Sequence, residues 1–257
     1  MGFSWAGDLN GNTMPVLRWF PVGADVYQGQ LLARDTSTAS SGYVIAAANA
    51  AAGPDTATRI LGICTGIVTS PTYDATYKGD KGVYDVTQAT LAANDPPGPC
   101  MAQVALITPT TLIRGPVVKD TVGTNPERKA CTTGSSDGLT FVIPAIDTTV
   151  DSQSTAYCSD GANKGQSRKL TTASTTTQTC IIPFTYDIAV GDTFCVANVV
   201  EGSAHIAFDS QIQGIDSSAA LSSYFYAYVH QLNLEEAGKE YAVFTLGTDH
   251  LVIGKGL

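Results

Sequence analysis

At 257 residues the chain is long enough for one large β domain or two small domains with cores of their own, so it needs no disulfide staples to fold. Hydrophobic residues make up 44% of it and charged residues only 14%, with Thr, Ser, Gly and Ala filling much of the rest, a balance that suits short strands and turns better than long helices. The net charge is −9 and the 14 basic residues are scattered, which argues against direct nucleic-acid binding, because no basic stripe is present to neutralise a run of phosphates.

The first residues, "MGFSWAGDLNGNTMP", place Phe3 and Trp5 among Gly and Asn. Such a segment is too flexible to form a core, and residues 1–14 are expected to be an arm that lies on a neighbouring subunit or stays disordered. It has neither a basic n-region nor an apolar h-region, and no 18-residue apolar span follows anywhere in the chain. The expectation is a protein made in a cytosol, without a membrane segment.

Strand signals then dominate. "VLRWFPV", which carries Trp19, is followed by "QLLAR", "GYVIAAA", "RILGICTGIV", "CMAQVALI" and "TLIRGPVV", and later by "LTFVIPAI", "CIIPFTYDI", "DTFCVANVV", "SAHIAFD", "SYFYAYVHQL", "EYAVFTL" and "HLVIGKGL". Each is short, rich in Val, Ile, Phe, Tyr or Thr, and bounded by Gly, Pro, Asn, Asp or Ser, which predicts an all-β fold of barrel or sandwich modules. Single helical turns are expected only near Ala89 to Ala93 and Ser218 to Ser222, and "NLEEAGKEY" reads as a charged hairpin loop with Gly238 at its tip. From Asp147 to Thr179 the apolar residues thin out into Ser, Thr, Gly and Gln. This stretch is expected to be a linker or a long surface loop, with its Thr-rich second half available as an edge strand.

One pattern occurs twice. "DVYQGQLLAR" at Asp25 to Arg34 and "DIAVGDTFCVA" at Asp187 to Ala197 both run Asp, β-branched, two free positions, Gly, a polar Gln or Asp, then an apolar stretch. Each is a tight turn ending at a glycine with positive φ and feeding a strand. Downstream, "RILGICTGI" and "QIQGIDSSA" share Ile-x-Gly-Ile, where Gly62 and Gly214 mark a bulge or a close backbone approach. Either two related β modules, 15–115 and 180–257, flank an irregular connecting region at 116–179, or two β-rich segments share turn chemistry by chance.

Candidate chemistry is thin. "GSSDG" matches G-x-S-x-G with Ser136 at the nucleophile position, but a Thr-rich turn precedes it and a strand follows, so a hairpin turn is the better reading. "DLNGNT" starts like a calcium loop, yet its Gly falls at the fourth position and Trp19 occupies the twelfth. His205, His230 and His250 stand alone in strand-like sequence, and a triad of His205, Asp209 and a serine has no specific support. The six cysteines, Cys64, Cys100, Cys131, Cys158, Cys180 and Cys195, include no C-x-x-C pair, so a zinc site is not expected. Cys64 and Cys195 read as small hydrophobes, whereas Cys131, Cys158 and Cys180 lie near turns and could pair in an oxidising setting. In "SYFYAYVH" the Tyr224, Tyr226 and Tyr228 side chains share one strand face and Phe225, Ala227 and Val229 the other. The tyrosine face suits either a subunit contact or a buried two-sided strand.

The succession "DVYQGQLLARD", "GYVIAAA", "RILGICTGIV" and "CMAQVALITP" resembles the small β-rich head-decoration, or capsid-cement, proteins of tailed bacteriophages, over residues 16–115. The resemblance implies a virion structural protein that binds the outer surface of the capsid and stabilises the mature shell. It would be made in the host cytoplasm, carry no enzyme activity or cofactor, form a cyclic homo-oligomer with a trimer foremost, and touch the major capsid protein. Phe3, Trp5, Trp19, Tyr224, Tyr226 and Tyr228 are the residues expected at subunit or capsid contacts. The second copy of the turn pattern departs from a single-module cement protein and keeps a tail-tube or baseplate protein open as an alternative. From other classes, a carbohydrate-binding β-sandwich and, last, a serine hydrolase using Ser136 remain.

Overall fold

A computed structural model describes residues 2–11, 14–23, 26–34, 42–47, 59–68, 81–82, 101–119, 125–146, 154–199, 201, 204–206, 214–216, 225–248 and 251–252. The fold is all-β. The chain forms two compact units, one of Met1–Arg114 with Thr245–Leu257 and the other of Gly115–Phe244. The two short helical windows, Asp25, Cys100, Asp209, Tyr224 and His250 lie outside the described residues.

The first unit contains β1 (Ser4–Asp8), β2 (Leu17–Pro21), β3 (Val26–Tyr27), β4 (Leu31–Arg34), β5 (Val44–Ala46), β6 (Ile60–Val68), β7 (Lys81–Gly82), β8 (Met101–Leu106) and the start of β9 (Thr111–Val118). Five of these form an antiparallel sheet in the order β2-β8-β6-β4-β5. The chain just past β2 returns to the opposite edge, where Val22 bridges Val44 and the Gly23 N–H donates to the Val44 carbonyl at 2.9 Å. Alternate apolar residues enter a core of Val22, Val26, Leu32, Val44, Leu61, Cys64, Ala102 and Val104. Gly62 sits where β6 meets β8, and a Cβ there would overlap the Ala105 carbonyl oxygen, so the close approach read from the sequence is present. Gly214 is likewise pressed against the Pro116 carbonyl, in the second unit.

The N-terminal segment is not a free arm. Ser4, Trp5, Gly7 and Asp8 pair antiparallel with Arg114, Ile113, Leu112 and Thr111, with a bulge between Trp5 and Gly7. Unpaired backbone groups beside a sheet edge are a stronger determinant than the segment's poor apolar content. Of the segment "HLVIGKGL", only Leu251 and Val252 are described, and Leu251 makes a single parallel bridge to Ile60.

The second unit holds the end of β9, then β10 (Arg128–Ala130), β11 (Thr140–Val142), β12 (Thr155–Asp160), β13 (Ser167–Ala173), β14 (Thr177–Cys180), β15 (Thr193–Ala197), β16 (Ala204–Ile206), β17 (Ile215–Asp216), β18 (Phe225–Asn233) and most of β19 (Tyr241–Leu246). A six-stranded sheet runs β10-β15-β12-β13-β14-β11. Its core gathers Phe141, Phe184 and Phe194, with Phe141 stacked on Phe194 at 4.1 Å between centroids and Phe184 edge-on to Phe194 at 5.5 Å. Elsewhere in the unit β16 pairs with β18, β17 runs parallel to the end of β9, and β18 returns through Gly238, at φ 82°, into β19.

Two expectations are corrected here. The polar stretch 147–179 is no linker: it supplies β12, β13 and β14, and the last two are interior strands of the six-stranded sheet. Thr is a strand former, and a one-sided strand needs few apolar residues; β13 buries Leu170 and β14 buries Gln178 and Cys180, leaving mostly Ser, Thr, Lys and Arg outward. In the other direction, "CIIPFTYDI" is no strand. β14 ends at Cys180, and residues 181–192 form a loop.

Candidate interaction surface

The loop that replaces the expected strand exposes several large apolar side chains. Ile181, Ile182, Tyr186 and Val190 are 49%, 63%, 59% and 72% exposed, while Phe184 and Ile188 point inward and are buried. Its shape is held by the polar sequence before it. Buried Asn163 receives the Tyr186 N–H on Oδ1 at 2.8 Å and donates from Nδ2 to the Tyr186 carbonyl at 2.9 Å. Gln166 Oε1 accepts from the Thr185 hydroxyl at 2.9 Å and from Arg168 Nη2 at 2.8 Å, and Arg168 Nε donates to the Pro183 carbonyl at 2.9 Å while its guanidinium lies over the Phe184 ring. From the other side the Phe184 N–H donates to Gly138 and the Ile188 N–H to Ser135, both at 2.9 Å. Four large apolar side chains are thus presented to solvent by a loop whose backbone is pinned on both flanks, the arrangement of a contact surface.

The loop ends in the second copy of the repeated turn, and the two copies have the same geometry. At Tyr27–Gln30 the Gln30 N–H donates to the Tyr27 carbonyl at 3.1 Å, Gly29 takes φ 83°, and Gln30 Oε1 accepts the Tyr27 N–H at 2.8 Å. At Ala189–Asp192 the Asp192 N–H donates to the Ala189 carbonyl at 3.2 Å, Gly191 takes φ 100°, and Asp192 Oδ2 accepts the Ala189 N–H at 3.0 Å. Each glycine then donates to a cysteine carbonyl, Gly29 to Cys64 at 2.8 Å and Gly191 to Cys131 at 2.9 Å. Each cysteine N–H returns a bond to the next residue, Cys64 to Gln30 at 2.9 Å and Cys131 to Asp192 at 2.7 Å. The strand register agrees too, with Leu31 opposite Ile63 and Thr193 opposite Ala130. The shared pattern therefore encodes one clasp, used once in each unit. The turn precedes its cysteine in the chain in the first unit and follows it in the second, so the likeness is local to the clasp.

A second exposed apolar group runs from Met14, 82% exposed, into β2, an edge strand of the five-stranded sheet. Val16, Leu17 and Trp19 are 57%, 43% and 47% exposed. Of the residues expected at contacts, Trp19 is therefore outward-facing. Phe3 is not: it is buried at 4% exposure, and its N–H donates to the Gly29 carbonyl at 2.7 Å, because the segment expected to reach a neighbour is folded onto its own unit. Trp5 is half-buried opposite Ile113. Tyr226 lies in β18 opposite His205, and Tyr228 is 51% exposed beside His230, between buried Ala227 and Val229, so the expected alternation holds there. Sequence reading missed Ile181, Ile182, Tyr186 and Val190; the signal was Pro183 inside an apolar run, which disfavours a strand.

Ser136 lies in the turn between β10 and β11, a turn fixed by Asp137 Oδ1 accepting the Leu139 N–H at 2.9 Å and by Gly138 at φ 67°. Among the described residues no group of three or more His, Cys, Asp or Glu side chains gathers, and no helix is long and apolar enough to cross a membrane. A cavity of about 320 Å³ in the second unit is lined by Tyr157, Arg168, Glu201, Leu232 and Glu235 among others. Arg168 is committed to the loop, and Glu201 Oε1 accepts the Leu232 N–H at 2.8 Å, so these two charged groups of its lining serve the backbone. Cys131, Cys158 and Cys180, open to pairing on sequence, are buried and form no disulfide, and the same holds for Cys64 and Cys195. Burial pushes the Cys158 thiol up to about 11 and those of Cys180 and Cys195 up to about 12.

Comparison with protein-family models, with curated proteins and with solved structures finds no match to this chain.

Proposed function

We propose that this chain is a virion structural protein that decorates the outside of a bacteriophage capsid and stabilises the mature shell through surface contact. The observation that carries the reading is the pinned loop at 181–191, whose backbone is fixed by side-chain hydrogen bonds while Ile181, Ile182, Tyr186 and Val190 face solvent. A frame that holds apolar side chains outward in one conformation loses little entropy on docking. The outward Trp19 on an edge strand and the resemblance of residues 16–115 to capsid-cement proteins support the same reading. A protein that binds only the assembled lattice stabilises that lattice by its binding free energy, summed over many copies. The net charge of −9 suits an exterior surface that should not capture nucleic acid.

Immunogold labelling of particles from the culture that carries the gene tests this. Label distributed over the heads is the expected result. Label confined to tails or baseplates would establish the alternative structural role, and unlabelled particles would remove the virion reading. In that case a sugar-binding role through exposed Trp19 or Tyr228 becomes the reading to test, on a glycan array.

A further inference from the structure

The two clasps differ in what covers the turn. In the first unit the outer side of the turn is covered: Gly2 and Phe3 lie against Gly29, the Phe3 N–H donates to the Gly29 carbonyl at 2.7 Å, and a Cβ built on Gly29 would stand 3.0 Å from the Gly2 Cα. A Cβ on Gly2 would in turn stand 2.7 Å from the Gly29 carbonyl oxygen. The contact is therefore backbone on backbone and needs a residue without a side chain on both partners. In the second unit, among the described residues, nothing lies within 4 Å of the Cβ position of Gly191, and its carbonyl accepts only a long 3.5 Å bond from the Thr193 hydroxyl. The residue before it, Val190, is 72% exposed.

We infer that the clasp at Ala189–Asp192 is a docking site for an extended segment of a partner protein in which a glycine precedes an aromatic residue, the chemistry that Gly2–Phe3 brings to the matching clasp. The occupant is defined by what the first unit shows. A main-chain N–H meets the turn glycine's carbonyl, a side-chain-free residue lies on the turn, and an aromatic ring follows. Charge agrees: the loop from Ile181 to Gly191 carries one charged residue, Asp187, and the covering segment Gly2–Ala6 carries none, in a chain of net charge −9. A second copy of this chain fits less well, since its own Gly2–Phe3 segment is engaged on its own Gly29. The inference does not depend on the partner being a capsid protein.

The test is isothermal titration of the full chain with a synthetic peptide of residues 2–8, compared with the same peptide carrying Gly2→Val or Phe3→Ala. The expected result is saturable binding that falls about tenfold or more for either peptide variant, the loss that goes with one close backbone contact or one buried ring. Val190→Asp and Val190→Arg in the chain should each weaken the parent peptide by a similar factor; using both charges separates burial from electrostatics. Because Val190 is so exposed, neither substitution disturbs the fold, which circular dichroism verifies. No saturable binding at millimolar peptide overturns the inference. So does binding unchanged by both Val190 substitutions, which would mean exchange at the Gly29 clasp instead. Self-association in sedimentation that the peptide fails to displace and that Val190→Asp abolishes would assign the face to a second copy, and overturns it as well.

Discussion

At Gly29 and Gly191 a positive φ restricts the residue choice, and the surroundings set how much a substitution costs. Gly191→Ala meets no neighbour within 4 Å among the described residues, so it should cost only the strain of the left-handed conformation, about 1 kcal/mol. Gly29→Ala adds the close approach of Gly2 and should cost more, and Gly62→Ala, whose Cβ would overlap the Ala105 carbonyl, about 3 kcal/mol. Urea denaturation midpoints should rank the three in that order of increasing loss; equal midpoints would contradict the geometry. The cysteines carry a second prediction at this scale. With five thiols buried and those of Cys158, Cys180 and Cys195 held protonated by burial, the native chain should react with a thiol reagent at Cys100 at most. Denaturant should expose all six cysteines, and two or more fast-reacting thiols in the native chain would contradict the burial.

Among the elements, the loop at 181–191 depends most visibly on one side chain. Asn163 is fully buried and satisfies backbone groups of Tyr186 and Asp187. Asn163→Ala leaves those groups without their partner and should cost about 2 kcal/mol. Limited proteolysis should then cut first within 181–191, and an unchanged cleavage pattern would mean the loop is held by its other bonds. Strand positions were legible where short runs rich in Val, Ile, Phe or Tyr are bounded by turn residues, as in β6, β8, β18 and β19, and the repeated turn was legible because Gly followed by a polar residue has one economical geometry. What escaped was decided by partners distant in sequence. β1 exists because β9 offers an edge, the Thr-rich β13 and β14 because the sheet around them needs only Leu170, Gln178 and Cys180 inward, and the 181–191 loop because Asn163 and Arg168 reach it from the preceding strands. Local composition contains none of these long-range bonds. Exposure was half legible: Trp19 and Tyr228, expected at contacts, face solvent, whereas Phe3 is internal and Val190 was read as part of a turn only.

For the whole molecule, two β units that use the same clasp hold apolar side chains outward on rigid backbone, and the described residues assemble no cluster suited to metal binding. Under the proposed decoration role the chain acts by where it sits and in how many copies. The most direct test of that role is the stoichiometry of the chain in purified virions, measured by quantitative mass spectrometry against the most abundant shell protein. Capsid decoration predicts on the order of hundreds of copies per particle, in a simple ratio to the shell protein, as many low-affinity contacts summed over a lattice require. A few copies per particle, or none, would contradict it.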